Sequence, residues 1–218
     1  FADLSEDFEK QLELVFDENG KLKLFKLIDL LIEMEKLINK NERQLFLFCY
    51  SNLDQKITLE TIASKMKLTR ERARQIKVNL LKELPDYLQF ISNFKPDDFV
   101  SYEIEPSSTF FVIDRFFADK LNQREDVDFN PLFYSLVFGI IYKNLYAVLG
   151  DDEAIIEKNK LLSRNRYKYC YLISNPLFVN FNFDFFVKDV YRRISDSITE
   201  SYSLHFAGYL CQFLRNDV

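Results

Sequence analysis

Between Lys56 and Pro85 the chain carries Lys56, Lys65, Lys67, Arg70, Arg72, Arg74, Lys77 and Lys82 against only Glu60, Glu71 and Glu83, a net charge of +5 in thirty residues. The whole protein is −5, so everything outside this stretch sums to −10. Overall acidity speaks against nucleic acid, yet a compact basic face is what contact with phosphates requires. A solvated helix surface is the other reading of the same charges. Thr69 suits a helix N-cap, and Glu71 in the first turn is favoured by the helix dipole. On the helix that follows, Ala73, Ile76 and Leu80 fall on one side and Arg70, Arg74 and Lys77 on the other. That spacing predicts a cationic rod held to the molecule by its apolar back.

Other chemistries lack parts. One histidine, His205, leaves a Ser-His-Asp triad a single candidate and removes most His-based metal sites. Cys49, Cys170 and Cys211 are far apart, odd in number and without a CxxC, which argues against a disulfide framework or a cysteine zinc site and suits a reducing cytoplasm. The four glycines stand alone, so no glycine-rich loop cradles a nucleotide phosphate. The expectation is therefore no catalytic residue, no metal and no cofactor.

The elements around the basic stretch read as helices. Leu24, Phe25, Ile28, Leu31, Ile32, Leu37 and Ile38 recur at three- and four-residue steps, and Leu45, Phe46, Phe48 and Cys49 continue the stripe after a polar break. Thr58 caps a short helix that turns Leu59, Ile62, Ala63 and Met66 inward; Thr69 caps the longer one, which Pro85 ends. Two short helices joined by a three-residue turn, the second basic on its outer face, describe a helix-turn-helix. The second helix of such a pair enters the major groove of duplex DNA with its N-terminal side chains at the base edges.

The order of residues is more specific than that pattern. The run KITLETIASKMKLTRERARQIKVNLLKELP resembles region 4 of bacterial RNA polymerase sigma factors, which reads the upstream (−35) promoter element, and NERQLFLFCYSNLD is similar to the helix and loop preceding it there. The likeness spans roughly residues 30–86. It implies that Arg70, Glu71 and Gln75 touch bases, that Arg72 and Arg74 meet phosphates, and that Thr69 caps the helix and touches the backbone. Lys77, basic where the family more often has an acid, goes to phosphate. The chemistry fits: Arg offers a fork to guanine, Glu accepts from cytosine, Gln pairs with adenine. The resemblance also implies docking on the β-subunit flap of RNA polymerase through the apolar surface of the helices. Two departures stand out. Lys67 occupies a turn position where the family usually has Gly, and Ala73 replaces a larger β-branched residue. About 130 residues follow a motif that normally lies near a chain's end, and no preceding segment resembles the family's promoter-melting helix, so this chain is not expected to open a promoter alone.

Residues 93–108, with Pro96, Asp97, Asp98, Pro106, Ser107 and Ser108, favour a surface connection. Aromatic residues concentrate beyond it. The sequence predicts a mainly α protein: a helical domain at residues 1–95 containing the helix-turn-helix, then a mostly helical, aromatic-rich domain at 96–218 with a small β-hairpin. Residues 108–123, 131–149, 184–199 and 204–214 look like amphipathic helices, with Asp184 as a cap; residues 166–173 and 178–183 alternate around Asn175 and Pro176 as a hairpin would. The run from Leu132 to Tyr142 is too short to cross a bilayer and reads as a buried helix. No secretory leader is visible, and a first residue Phe1 rather than Met suggests a piece of something longer. Lys158, Lys160, Arg164, Arg166 and Lys168, interleaved with Tyr167, Tyr169 and Tyr171, either track phosphates or form a strand face. Phe178, Phe181, Phe183, Phe185 and Phe186 read as core, and as a partner patch in the alternative; Asp151 and Asp152 read as a turn.

Two functions follow. The first is a cytoplasmic, sequence-specific bacterial DNA-binding transcription protein whose partners are double-stranded DNA and RNA polymerase, its second half serving partner binding or homo-oligomerisation. The second is an interaction module in which a diverted helix-turn-helix binds polymerase or a regulator without reading DNA.

Overall fold

Local capping chemistry sets the first helices. In the computed structural model, which describes residues 10, 12–51, 58–93, 104, 107–149, 170–196 and 206–214, α1 spans Leu24–Glu33 and α2 Lys40–Tyr50. Asn39 and Glu42 form a reciprocal capping box on α2: the Asn39 side chain accepts from the Asn41 and Glu42 amides at 3.0 Å, and the Asn39 amide donates to Glu42 at 3.0 Å. Thr58 caps α3 (Leu59–Lys65) and Thr69 caps α4 (Arg70–Tyr87), each hydroxyl accepting at 3.2 Å, from the Thr61 and Arg72 amides. Pro85 does not end α4 as expected but sits inside its last turn. Its ring removes one intrahelical amide bond, and Leu84 and Leu88, both buried, hold that end down.

Beyond residue 107 short strands appear where longer helices were expected. β1 (Phe110–Ile113) precedes α5 (Arg115–Glu125), and β2 (Tyr146–Leu149) follows α6 (Pro131–Ile141). The aromatic and β-branched side chains of β1 suit a pleated surface, and Asp114, accepting from the Phe117 amide at 2.9 Å, starts the helix only after them. No hairpin forms around Asn175 and Pro176. β3 (Cys170–Ser174) lies between β1 and β2 and pairs antiparallel with both, Leu172 standing opposite Phe111 and Val148. Pro176 opens a helix instead, α7 (Asn175–Asn180), as its missing amide and fixed φ favour. α8 (Phe183–Asp196) and α9 (Phe206–Cys211) complete the described chain. Asn182 rather than Asp184 caps α8, its side chain accepting from the Phe185 amide at 3.1 Å.

The predicted buried helix is α6, with Phe133, Tyr134, Val137, Phe138 and Ile141 all covered. It crosses the sheet closely at Gly139: a Cβ there would lie 2.5 Å from the Val148 side chain. One buried cluster runs through most of the fold, taking Phe25, Ile28, Phe46, Tyr50, Leu80 and Leu84 from the helices before residue 95, and Phe129, Phe133, Tyr134, Phe138 and Leu172 from beyond it. Polar ties follow the same route. Lys23 gives α1 no side-chain cap; the buried Glu125, a hundred residues on, accepts from the Phe25 amide at 2.7 Å and the Lys26 amide at 3.4 Å. Asn130 donates from its amide to the Tyr50 carbonyl and from its side chain to the Cys49 carbonyl, both at 2.8 Å. A smaller cluster joins α7, α8 and α9 through Phe181, Phe183, Phe186, Tyr209 and Phe213, with Phe185 at its exposed edge against Phe213.

Asp29 on α1 makes the fold pH-dependent. Burial, and then the neighbouring Glu33, push its carboxyl up to about 6, against the pull of Lys26 and Arg43; Asp126 adds to the rise. A folded value above the unfolded one means that the ionised form is penalised in the fold. The penalty is absent near pH 3, grows as pH rises through that interval, and is complete above about pH 7. Asp29→Asn should therefore raise stability by about 1 kcal/mol at pH 7.5, allowing for solvent screening at this half-open site. The gain should vanish near pH 3.5 when melting temperatures are compared.

Candidate nucleic-acid interface

Ala73, Leu80 and Leu84 are fully buried and fix the back of α4 against α2 and α3. Their burial turns the first two turns of the opposite face to solvent. Thr69, Arg70, Glu71, Arg72, Arg74 and Gln75 are all exposed, and Val78, Asn79 and Lys82 continue the same face along the helix. Among the described residues, none of the aromatic half covers this face. Six of the seven predicted contact residues thus share one open surface.

Lys77 does not join them. It is half-buried, with its ammonium 5.8 Å from the centre of the Phe48 ring of α2. At that distance the ring's negative face attracts the cation, and the lysine stem covers apolar surface.

The exposed side chains are joined in a row. Arg74 donates to both oxygens of Glu71, from Nε to Oε2 at 2.9 Å and from Nη2 to Oε1 at 2.8 Å. Gln75 Nε2 donates to the same Oε1 at 3.3 Å, and Arg72 Nη1 donates to Gln75 Oε1 at 3.3 Å. Arg74, by hydrogen bonding and charge, and then Gln75 hold the Glu71 carboxyl below the usual range. Arg70, at the head of the helix, takes no part in the row. This pairing was legible in the one-turn spacing of Glu71 and Arg74.

Between the two helices, Lys67 has φ +56°. Its amide donates to the Ser64 carbonyl at 3.1 Å and that of Leu68 to Ala63 at 2.8 Å, the paired bonds that close a helix with a left-handed residue. The altered turn residue thus keeps the geometry a glycine would adopt. Lys67→Gly should stabilise the fold by about 0.5–1 kcal/mol, measured by denaturant titration, since the left-handed strain outweighs glycine's extra chain entropy.

Taken together, α3, the turn and α4 form a helix-turn-helix with an open, mainly cationic second helix, the class of element that reads nucleic acid. Residues 36–84 match the family described as Sigma-70, region 4, a match that covers less than a quarter of the chain and points to transcription-related DNA binding. No curated protein and no solved structure matches the chain.

The remaining candidates separate. Tyr171 lies on β3 opposite Val112 and Leu149. Lys158, Lys160, Arg164, Arg166, Lys168, Tyr167, Tyr169, Asp151, Asp152 and His205 lie outside the described residues, as does most of the predicted connection after residue 93. Among the described residues no group of His, Cys, Asp and Glu could hold a metal ion, and no helix is long and apolar enough to cross a membrane.

Proposed function

We propose that this protein is a transcription factor that reads double-stranded DNA through α4 in the major groove. The carrying observation is that Arg70, Glu71, Arg72, Arg74 and Gln75 lie together on the open face of a capped helix, inside the segment that matches Sigma-70, region 4. In this reading Arg72 and Arg74 meet phosphates and set the register, and Thr69 touches the backbone. Arg70, Glu71 and Gln75 then read base edges. Lys77, turned under toward Phe48, contributes through the field of the module rather than by contact.

RNA polymerase is the second proposed partner, and the fold bears on how it would dock. The apolar sides of α1 and α2 are already occupied: Phe25 meets Tyr134 at 4.6 Å between ring centres, and Phe46 meets Phe133 at 5.2 Å. A polymerase contact in this arrangement falls on what stays open on the module, where the exposed large apolar residues include Leu47 of α2 and Val78 of α4.

A titration of labelled duplex against the protein at several salt concentrations tests the reading. Logarithmic affinity should fall against logarithmic salt with a slope of about −0.9 per phosphate contact. Polymerase binding with no duplex affinity at any salt would favour the diverted interaction module, to which the net charge of −5 is suited.

A further inference from the structure

The arrangement of the recognition row has a consequence for Arg74. A guanidinium grips a phosphate best with two parallel N–H groups, and the Nε–Nη2 edge of Arg74 is fully taken by Glu71 at 2.9 and 2.8 Å. Both partners are more than half exposed, Arg74 at 56% and Glu71 at 60%, so the pair sits where the duplex would arrive rather than in the core. An exposed pair of this kind is weak enough to exchange partners. Glu71 Oε1 also accepts from Gln75, so the carboxylate connects a second proposed base reader to the same switch.

We infer that Glu71 is a specificity gate, a positioning residue that withholds Arg74 from phosphate until a base-edge amino group takes its place on the carboxylate. The inference rests on the duplex-reading role proposed above. On a duplex lacking a suitably placed amino donor, Glu71 stays paired, and Arg74 adds little to backbone contact. On a matching duplex the base amino group donates to Glu71, Arg74 is released, and its fork turns to the nearest phosphate. Correct readout thereby gains one phosphate contact that incorrect readout lacks. Discrimination grows without any added base contact. Arg70, outside the row, stays available in both states.

The test uses a mixed-sequence duplex and four forms of the full chain: wild type, E71Q, R74Q and the double variant. E71Q keeps the shape of the side chain but removes its charge. Affinity of E71Q for the mixed duplex should rise about threefold at moderate salt, the scale of an exposed ion pair. Its salt slope should steepen by about 0.9, the signature of one more phosphate contact. The same substitution made on R74Q should produce neither change. An equal gain from E71Q with and without Arg74 would mean that only the loss of negative charge matters, and would overturn the gate. So would wild-type binding that E71Q leaves unchanged in strength and slope, although duplex reading itself would stand. Absence of duplex binding by both wild type and E71Q at low salt would bring down the two proposals together. Circular dichroism of each variant, expected to match wild type because the row is exposed, separates these outcomes from misfolding.

Discussion

Phe133→Ala should lower folding stability by about 3–5 kcal/mol, the range for emptying a fully buried phenylalanine site. The ring has no exposed surface and stands among four others: Phe129 at 4.3 Å, Phe46 at 5.2 Å, Tyr50 at 5.5 Å and Phe25 at 6.5 Å between centres. Two of these belong to α2 and one to α1, so the cavity opens between the helix-turn-helix module and the aromatic half. Its neighbours are large and held by their own backbones, which limits collapse into the void. The polar ties at Glu125 and Asn130 cross the same seam, so the loss should be felt on both sides at once. Thiol labelling during denaturant titration checks this, with Cys49 on α2 reporting one side and the buried Cys170 on β3 the other. Both should become reactive along one transition, shifted to lower denaturant by the same amount in the variant. Phe185→Ala, at a ring 54% exposed that meets Phe213 at 5.5 Å in the smaller cluster, should move either by about 1 kcal/mol at most. Separate transitions at the two cysteines would mean that the halves hold themselves together independently.

That seam is also what the sequence hid. Capping is local, and the chain announces it: Thr58 before one helix and Thr69 before the next hold the predicted role, and the polar break at Asn39, with Glu42 three residues on, is a capping box. The burial of Ala73 and Leu80 follows from their one-sided spacing on α4, and the exposure of Arg70 and Arg74 from the same geometry. What failed was non-local. Phe110 to Ile113 is four apolar residues, short enough to pass for the start of the helix behind it. Its identity as a strand depends on Cys170 to Ser174, some sixty residues later. Glu125 looks like an ordinary helix-end acid, because the amides it receives are on α1 and no periodicity marks them. Helical angle by itself sets Lys77 among the outward cations. The ring that attracts it belongs to another helix, at Phe48, and only packing brings the two together.

Arg70→Ala is the substitution expected to affect recognition most. Arg70 is the first residue of α4, exposed, and outside the hydrogen-bonded row of Arg72, Gln75, Glu71 and Arg74; Glu71 acts on it through charge, and no hydrogen bond of that row has to open before it reaches a base. At the N-terminal end of a helix lying in the major groove, a side chain of this length meets base edges first. A guanidinium offering two parallel donors to the O6 and N7 of guanine discriminates that base by about 1–3 kcal/mol. Its removal should cost that much on the preferred duplex, selected beforehand from a random pool, and flatten the preference at one base position. Affinity for mixed-sequence duplex should fall far less, since only one of several cations is lost. Arg72→Ala gives the contrasting pattern. As a phosphate contact, it should weaken every duplex alike and reduce the salt slope by about 0.9, leaving preference unchanged. Reselecting the random pool with each variant distinguishes the two. If the Arg70→Ala pool converges on the wild-type sequence with undiminished affinity, base reading at the head of α4 is the wrong assignment, and the cations there act on the backbone alone.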